Sequence, residues 1–450
     1  MKNDRFPRIL IVSIARINNK DQQSNGLLLR NLFGEDWPKE RTAQIFSSGD
    51  NGDPGFFGRY YQMGSRERRF GNIFYFFKSR RSKNIHRLPD AKGEREGEKE
   101  VRSKRLEHIR RWFHSVIVGT GIYELFFMPK ISRSMELWIK DFNPDVIFAQ
   151  GYNLTFASLP ILIKNTFDVP IATLTSDDWP SYQYNAVHGE PKLFRWLVRP
   201  FVRRFANDLF EQTDIPLAFG HPMAQEYNMR YGKEFVSLYH SDDAERFRAA
   251  PDILLSSENE KIVLVAGSFN AFRAPLLIDA ADACANLNSK GLNVRLVVIP
   301  TSLDEETLRI LTLNKKVSIF RDPGNDVLPS YLKSADVLLL LEGFNDEFVE
   351  AVKLSISSKA HLFMFSEKPI VVYSNAATGV AKYARHFRWA DLVCERSVDL
   401  LSNRIHQLIN DVDMRQNLIQ NASNVAKNNH TISMNRGLFL NEIFRISKFN

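Results

Sequence analysis

The sequence predicts an α/β protein built from two Rossmann-like, doubly wound domains. Three observations carry that expectation. Apolar runs of strand length recur along both halves, stretches of helical length separate them, and a polar segment at residues 239–259 divides the two sets. The runs are apolar throughout, which suits strands covered on both faces, as in parallel sheet; half-solvated strands would alternate.

In the first half the expected strands are Ile9 to Val12, Val146 to Phe148 and Ile171 to Leu174. In the second they are Ile262 to Val265, Val294 to Ile299, Val337 to Leu341 and Pro369 to Val372, with helices expected over Pro275 to Leu287 and Val398 to Val425. Between the halves, Ser241-Asp242-Asp243 and Ser256-Ser257-Glu258-Asn259 mark a linker. The resulting parse has a first domain at 1–238, a linker at 239–260, a second domain at 261–432 and a closing helix within 433–450. A basic insertion at about 50–130 interrupts the first domain with Asp53-Pro54-Gly55 and the mixed-charge run Lys92 to Arg111, which reads as a solvated helix or a binding surface. The cluster Phe74-Tyr75-Phe76-Phe77 beside Lys78, Arg80 and Arg81 suits a membrane interface, or else a core-facing insertion.

Composition excludes several classes. With 450 residues, 44% hydrophobic and 25% charged, the chain is neither wholly disordered, collagenous nor an integral membrane protein. Its two cysteines, Cys284 and Cys394, supply no disulfide framework and fit a reducing, cytoplasmic compartment. The net charge of +8 is concentrated: residues 51–150 hold 20 basic against 12 acidic side chains, whereas residues 251–450 hold 22 of each. A local basic surface for phosphate-bearing ligands or anionic lipid is expected, rather than a coat for nucleic acid. Ile9 to Ile14 is too short for a targeting segment, and Trp112 to Met128 contains His114 and Glu124, so no membrane span is expected.

Among motifs, Gly119-Thr120-Gly121 has Glu124 where a dinucleotide fingerprint needs a third glycine, and reads better as close helix packing. No phosphate-loop or nucleophile-elbow motif occurs, and the ten histidines lack metal-ligand spacing, so no metal and no other cofactor is expected. Three places carry more. Ala266-Gly267-Ser268-Phe269 follows a strand and leads through Arg273 to a helix opening at Pro275; small residues, helix amides and a guanidinium suit phosphate, although an ordinary strand-to-helix loop has the same form. Lys359, before His361 and Leu362, places an ammonium near a helix start or on a solvated face. Asp177-Asp178-Trp179-Pro180 ends a strand, where open α/β sheets put ligands; these carboxylates suit acid–base work or sugar hydroxyls, or a helix cap and turn.

Several segments, in this order, resemble the GT-B glycosyltransferases, especially the large retaining group that builds bacterial capsule and surface polysaccharides. They are Phe142-Asn143-Pro144-Asp145-Val146-Ile147, Val169-Pro170 before Asp177-Asp178-Trp179, Tyr227 to Gly232, Gly267-Ser268 with Arg273, Leu328 to Val337, and Ser358-Lys359 to Pro369-Ile370. The resemblance implies two Rossmann-like domains facing a cleft, a nucleotide-sugar on the second and a glycan or lipid-diphosphate-linked acceptor on the first, without a bound metal. It implies that Gly267, Ser268, Arg273 and Lys359 bind the donor diphosphate. Asp177, with Asp178 beside it, takes the place of the catalytic-domain acid or histidine, and Gly26 in Ser24-Asn25-Gly26 takes the loop near the transferred sugar. The closing helix, about Asn435 to Ser447, would cross back to the first domain. Two positions depart from the pattern: Leu362 stands where relatives usually have a ribose-binding Glu, and Glu367 where they usually have Gly. Glycosyl transfer is therefore weighed against a GT-B binding or scaffolding protein without turnover, and against a sugar-nucleotide epimerase. Localisation is expected in the cytoplasm, peripheral on the inner face of the plasma membrane.

Overall fold

A computed structural model describes residues 6–18, 24–48, 54–69, 83–86, 125, 127–182, 192–253, 255, 259–269, 272–321 and 323–447. The expectations for Phe74-Tyr75-Phe76-Phe77 and its basic neighbours, for Lys92 to Arg111 and for Gly119-Thr120-Gly121 lie outside the described residues. The chain forms two compact units. One comprises Met1–Ala218, Tyr227–Val236 and Leu438–Asn450, the other Phe219–Glu226 and Ser237–Gly437.

The first sheet contains β1 (Ile9–Val12), β2 (Thr42–Phe46), β3 (Arg59–Gln62), β4 (Lys83–His86), β5 (Val146–Ala149), β6 (Ile171–Thr175), β7 (Ile215–Phe219) and β8 (Val236–Leu238), in the order β4-β3-β2-β1-β5-β6-β7-β8. β1 pairs in parallel with β2 and β5, whereas β4 at the edge runs antiparallel to β3. Every residue of β1 and β5 is buried, as runs covered on both faces require. β2 escapes a reading for apolar runs because the fully buried Gln44 interrupts it. That amide accepts from the Ile17 amide and donates to Ser13 Oγ and the Ala15 carbonyl, so its burial is satisfied. The helix Ile432–Ile446 carries Phe439 into this unit's core, with its ring 5.3 Å from that of Phe33 and 5.6 Å from that of Phe148.

The second sheet contains β9 (Lys261–Ser268), β10 (Val294–Ser302), β11 (Val317–Ile319), β12 (Val337–Leu341), β13 (Ile370–Tyr373) and β14 (Asp391–Val393), all paired in parallel in the order β11-β10-β9-β12-β13-β14. Numbered within the sheet, this is the order 3-2-1-4-5-6 of a doubly wound dinucleotide-type fold, and it reverses between β9 and β12. The segment read as a linker carries the helix Ala244–Arg248, and Asp242 bridges Thr431 within the second unit.

Two expected elements are corrected. The helix expected over Val398 to Val425 is two helices, Val398–Asn410 and Val412–Asn429. Asp411 between them takes an extended backbone (φ −90°, ψ 102°) and caps the second by accepting the Met414 amide. Gly26 lies inside the first turn of the helix Ser24–Phe33, not in the loop before it; Ser24-Asn25-Gly26 has turn-forming composition but starts a helix.

Helix Ala360–Phe365 ends at Ser366, and Glu367 follows with φ 56°, in the left-handed region that penalises a side chain. Glycine pays no such steric penalty, which gives a physical reason for the Gly usual at this place in the resembling proteins. Glu367→Gly is expected to stabilise the protein by about 1 kcal/mol in urea unfolding, and Glu367→Val to destabilise it; a stability loss with glycine would contradict the strain.

Candidate functional site

In the second unit, the loop after β9 and the segment entering helix Ala360–Phe365 meet. Gly267 has φ 136°, and a Cβ built there would fall 2.3 Å from Lys359 Cε and 2.9 Å from its Nζ. The lysine side chain thus lies across the glycine backbone, a contact that any larger residue would displace. Ser268, the last residue of β9, shares a hydroxyl hydrogen bond with Ser302 at the end of β10. Arg273 occupies the N-cap of the helix Ala274–Ser289; in the first turn Pro275 has no N–H, and the Leu276 amide donates to the Arg273 carbonyl.

The Arg273 guanidinium donates to the Glu342 carboxylate directly after β12, and its carbon lies 5.1 Å from the centre of the Phe348 ring. Phe272 stacks on the same ring at 5.3 Å. Burial, then the Arg273 charge, pulls the Lys359 ammonium down to about 8, and Glu342 acts against both. The site is therefore a cluster of two cations and one carboxylate at the carboxyl ends of β9 and β12, the strands between which the order reverses. Open α/β sheets bind ligands at that place. Gly267, Arg273 and Lys359 come together, with Ser268 next to them at the strand end. Glu342 and Phe348 were not singled out from sequence, where Glu342 is one acid after an apolar strand and only the adjacency of β9 and β12 gives it meaning.

Leu362, at the place of the usual ribose carboxylate, packs against the apolar core of this unit and offers no acceptor. Glu347 and Glu350 sit on the helix Asp346–Val352, where Glu350 pairs with Lys353. Among the described residues, no group of three or more His, Cys, Asp or Glu side chains is placed to hold a metal ion.

In the first unit, neighbouring aspartates have different surroundings. Asp178 is fully buried; its Oδ1 accepts from Arg230 Nη1 at 2.7 Å and from the Tyr227 hydroxyl at 3.0 Å, and its Oδ2 accepts from Arg230 Nη2 at 3.3 Å. The guanidinium in turn lies 5.1 Å from the Tyr227 ring centre. Burial, then the Asp178 charge, raises the Tyr227 phenol well above its ordinary value, so it remains a donor. Asp178 is thus committed to joining the Thr175–Trp179 turn to helix His221–Tyr231. Asp177 is half-buried, and its charge, after burial, helps raise the phenol of Tyr152, which hydrogen-bonds Ser176. Asp177 and Tyr152 follow β6 and β5, and Gly26 belongs to the helix after β1; β1 and β5 flank the order reversal of this sheet.

No protein-family model and no curated protein matches the sequence. Solved structures do share the fold. The chain resembles sucrose-phosphate synthase from Thermosynechococcus elongatus (TM-score 0.59, 13% identity, covering 98% of this chain and 99% of that one). It also resembles WaaG, a glycosyltransferase involved in lipopolysaccharide biosynthesis (TM-score 0.52, 13% identity, 98% and 100%). A third is Anabaena HepE, solved in complex with UDP-glucose (TM-score 0.54, 11% identity, 97% and 99%). These likenesses define the class of fold as GT-B.

Removing the Asp178 carboxylate leaves Arg230 and Tyr227 without their acceptor. Asp178→Ala is expected to cost about 3 kcal/mol in denaturant unfolding, the low end for a buried pair because Arg230 keeps some solvent contact. Asp177→Asn, at a half-buried carboxylate, should cost clearly less than Asp178→Ala in the same measurement. Equal stability losses at the two positions would contradict the division of roles.

Proposed function

We propose that the protein is a glycosyltransferase that moves a sugar from a nucleotide-sugar donor to a glycan or lipid-linked acceptor in surface polysaccharide biosynthesis, with retention of anomeric configuration. The observation that carries the donor assignment is the convergence of Gly267, Arg273 and Lys359 at the β9/β12 reversal. A glycine lets the ligand approach the backbone, and two cations offset the charge of a diphosphate. Because these groups supply the positive potential, binding is expected without a divalent ion. The fold supports the reading, since WaaG is a glycosyltransferase and HepE was solved with UDP-glucose.

The acceptor side is proposed for the first unit. Asp177, at the carboxyl end of β6, orients an acceptor hydroxyl or stabilises developing positive charge, whereas Asp178 holds the turn that presents it. The lipid-linked acceptor, the retaining outcome and the surface-polysaccharide setting are supported by the sequence resemblance. Contact with an anionic membrane on its cytoplasmic side is supported by the basic excess in residues 51–150. Among the described residues, no helix is long and apolar enough to cross a membrane.

Calorimetry with a panel of nucleotide-sugars and nucleoside diphosphates tests the donor assignment. Arg273→Ala should weaken the best-binding nucleotide tenfold or more, about 1.4 kcal/mol, with binding unaffected by chelator; unchanged affinity in the folded variant would remove the assignment. Transfer is read separately, as release of nucleoside diphosphate with sugar on the acceptor. Asp177→Asn should lower it about 10²–10⁴-fold while nucleotide affinity is preserved, and full turnover in that variant would return Asp177 to a structural role. Tight nucleotide binding without any transfer would favour the binding-protein reading, to which Leu362 lends weight.

A further inference from the structure

Two half-buried cations meet at the carboxyl ends of β9 and β12. Lys359 lies across Gly267, and Arg273 is near enough to repel it. In a protein interior, repulsion of this kind drives one group toward solvent or strips its proton. Glu342, 3% exposed, accepts from the Arg273 guanidinium through Oε1 and attracts the Lys359 ammonium. The Phe348 ring supports the guanidinium. The other oxygen, Oε2, is buried and has no hydrogen-bond partner among the described residues, so the bonding shown for this acid is to Arg273 and, through its amide, to the Tyr373 carbonyl of β13.

We propose that Glu342 is the positioning residue of the anion site, holding the Arg273 guanidinium in place and supplying the negative charge that lets Arg273 and Lys359 stand together as cations. The inference rests on the reading of this loop as a diphosphate site and adds a residue that acts through the cations. Its physical consequence concerns protons. The groups facing Lys359 are Arg273 and Glu342, with the buried His240 ring within electrostatic reach. Burial, then His430 and Lys359, holds His240 down to about 4, so it is neutral wherever Lys359 titrates. Loss of the Glu342 charge leaves Lys359 facing only repulsion and burial, and its proton departs at lower pH.

The test follows Lys359 in full-length protein carrying lysine labelled with carbon-13 at Cε, its resonance assigned with Lys359→Arg. In the parent the midpoint is expected at about 8. Glu342→Gln should lower it by one pH unit or more, and the alkaline loss of affinity for inorganic diphosphate, measured by calorimetry, should move with it. The ionisation of the diphosphate itself is common to both proteins and cancels in the comparison. Where Glu342→Gln does not fold, Glu342→Asp carries the test, because withdrawing the carboxylate by one methylene weakens the same attraction and lowers the midpoint in the same direction. An unmoved midpoint in a folded variant would overturn the proposal and leave Glu342 a packing residue. Failure of the parent to bind diphosphate at any pH would overturn the diphosphate reading, while the Lys359 midpoint would still decide whether Glu342 is the counter-ion.

Discussion

The reversal of strand order between β9 and β12 is the constraint on which the candidate site depends. Crossover helices leave adjacent strands toward opposite faces there, so the carboxyl ends of the two strands are not roofed by a connection. Into that place the sequence puts Gly267 at the end of one strand and Glu342 directly after the other, and the neighbouring segments bring Arg273 and Lys359. Collecting like charges away from water costs free energy. A carboxylate and an aromatic face lower that cost while leaving a net positive site, which is what an anionic ligand needs.

The first unit shows the same physics resolved in the other direction. Asp177 and Asp178 are adjacent in sequence, yet only Asp178 is fully enclosed, and it is enclosed because Arg230 and Tyr227 satisfy both its oxygens. An acid bonded so completely contributes to the fold. Its neighbour Asp177 is half-buried, next to Ser176, whose hydroxyl is hydrogen-bonded to that of Tyr152. Leu362 packs against the apolar core of the second unit and offers no hydrogen-bond acceptor.

Much of this was legible before any coordinates. Continuous apolar runs located β1, β5, β6, β9, β10, β12 and β13, because strands covered on both faces need no alternation. Of the missed strands, β2 carries the buried Gln44, β8, β11 and β14 have three residues each, and the fully buried β7 contains Pro216, which argues against a central strand. Gly267, Arg273 and Lys359 stood out through residue type next to a strand or helix end. Glu342 did not, since its role arises from sheet order, which pairs strands separated by a long stretch of sequence. Asp411 illustrates the converse error: it lies inside the single helix expected over Val398 to Val425, where it ends one helix and begins the next.

The central claim is that the loop at the β9/β12 reversal receives a diphosphate. A crystal structure of the full chain grown with UDP measures this most directly. The account predicts phosphate oxygens within hydrogen-bonding reach of Arg273, Lys359 and the backbone at Gly267 and Ser268. UDP bound elsewhere on the second unit, with Arg273 and Lys359 making no contact to it, would contradict the account.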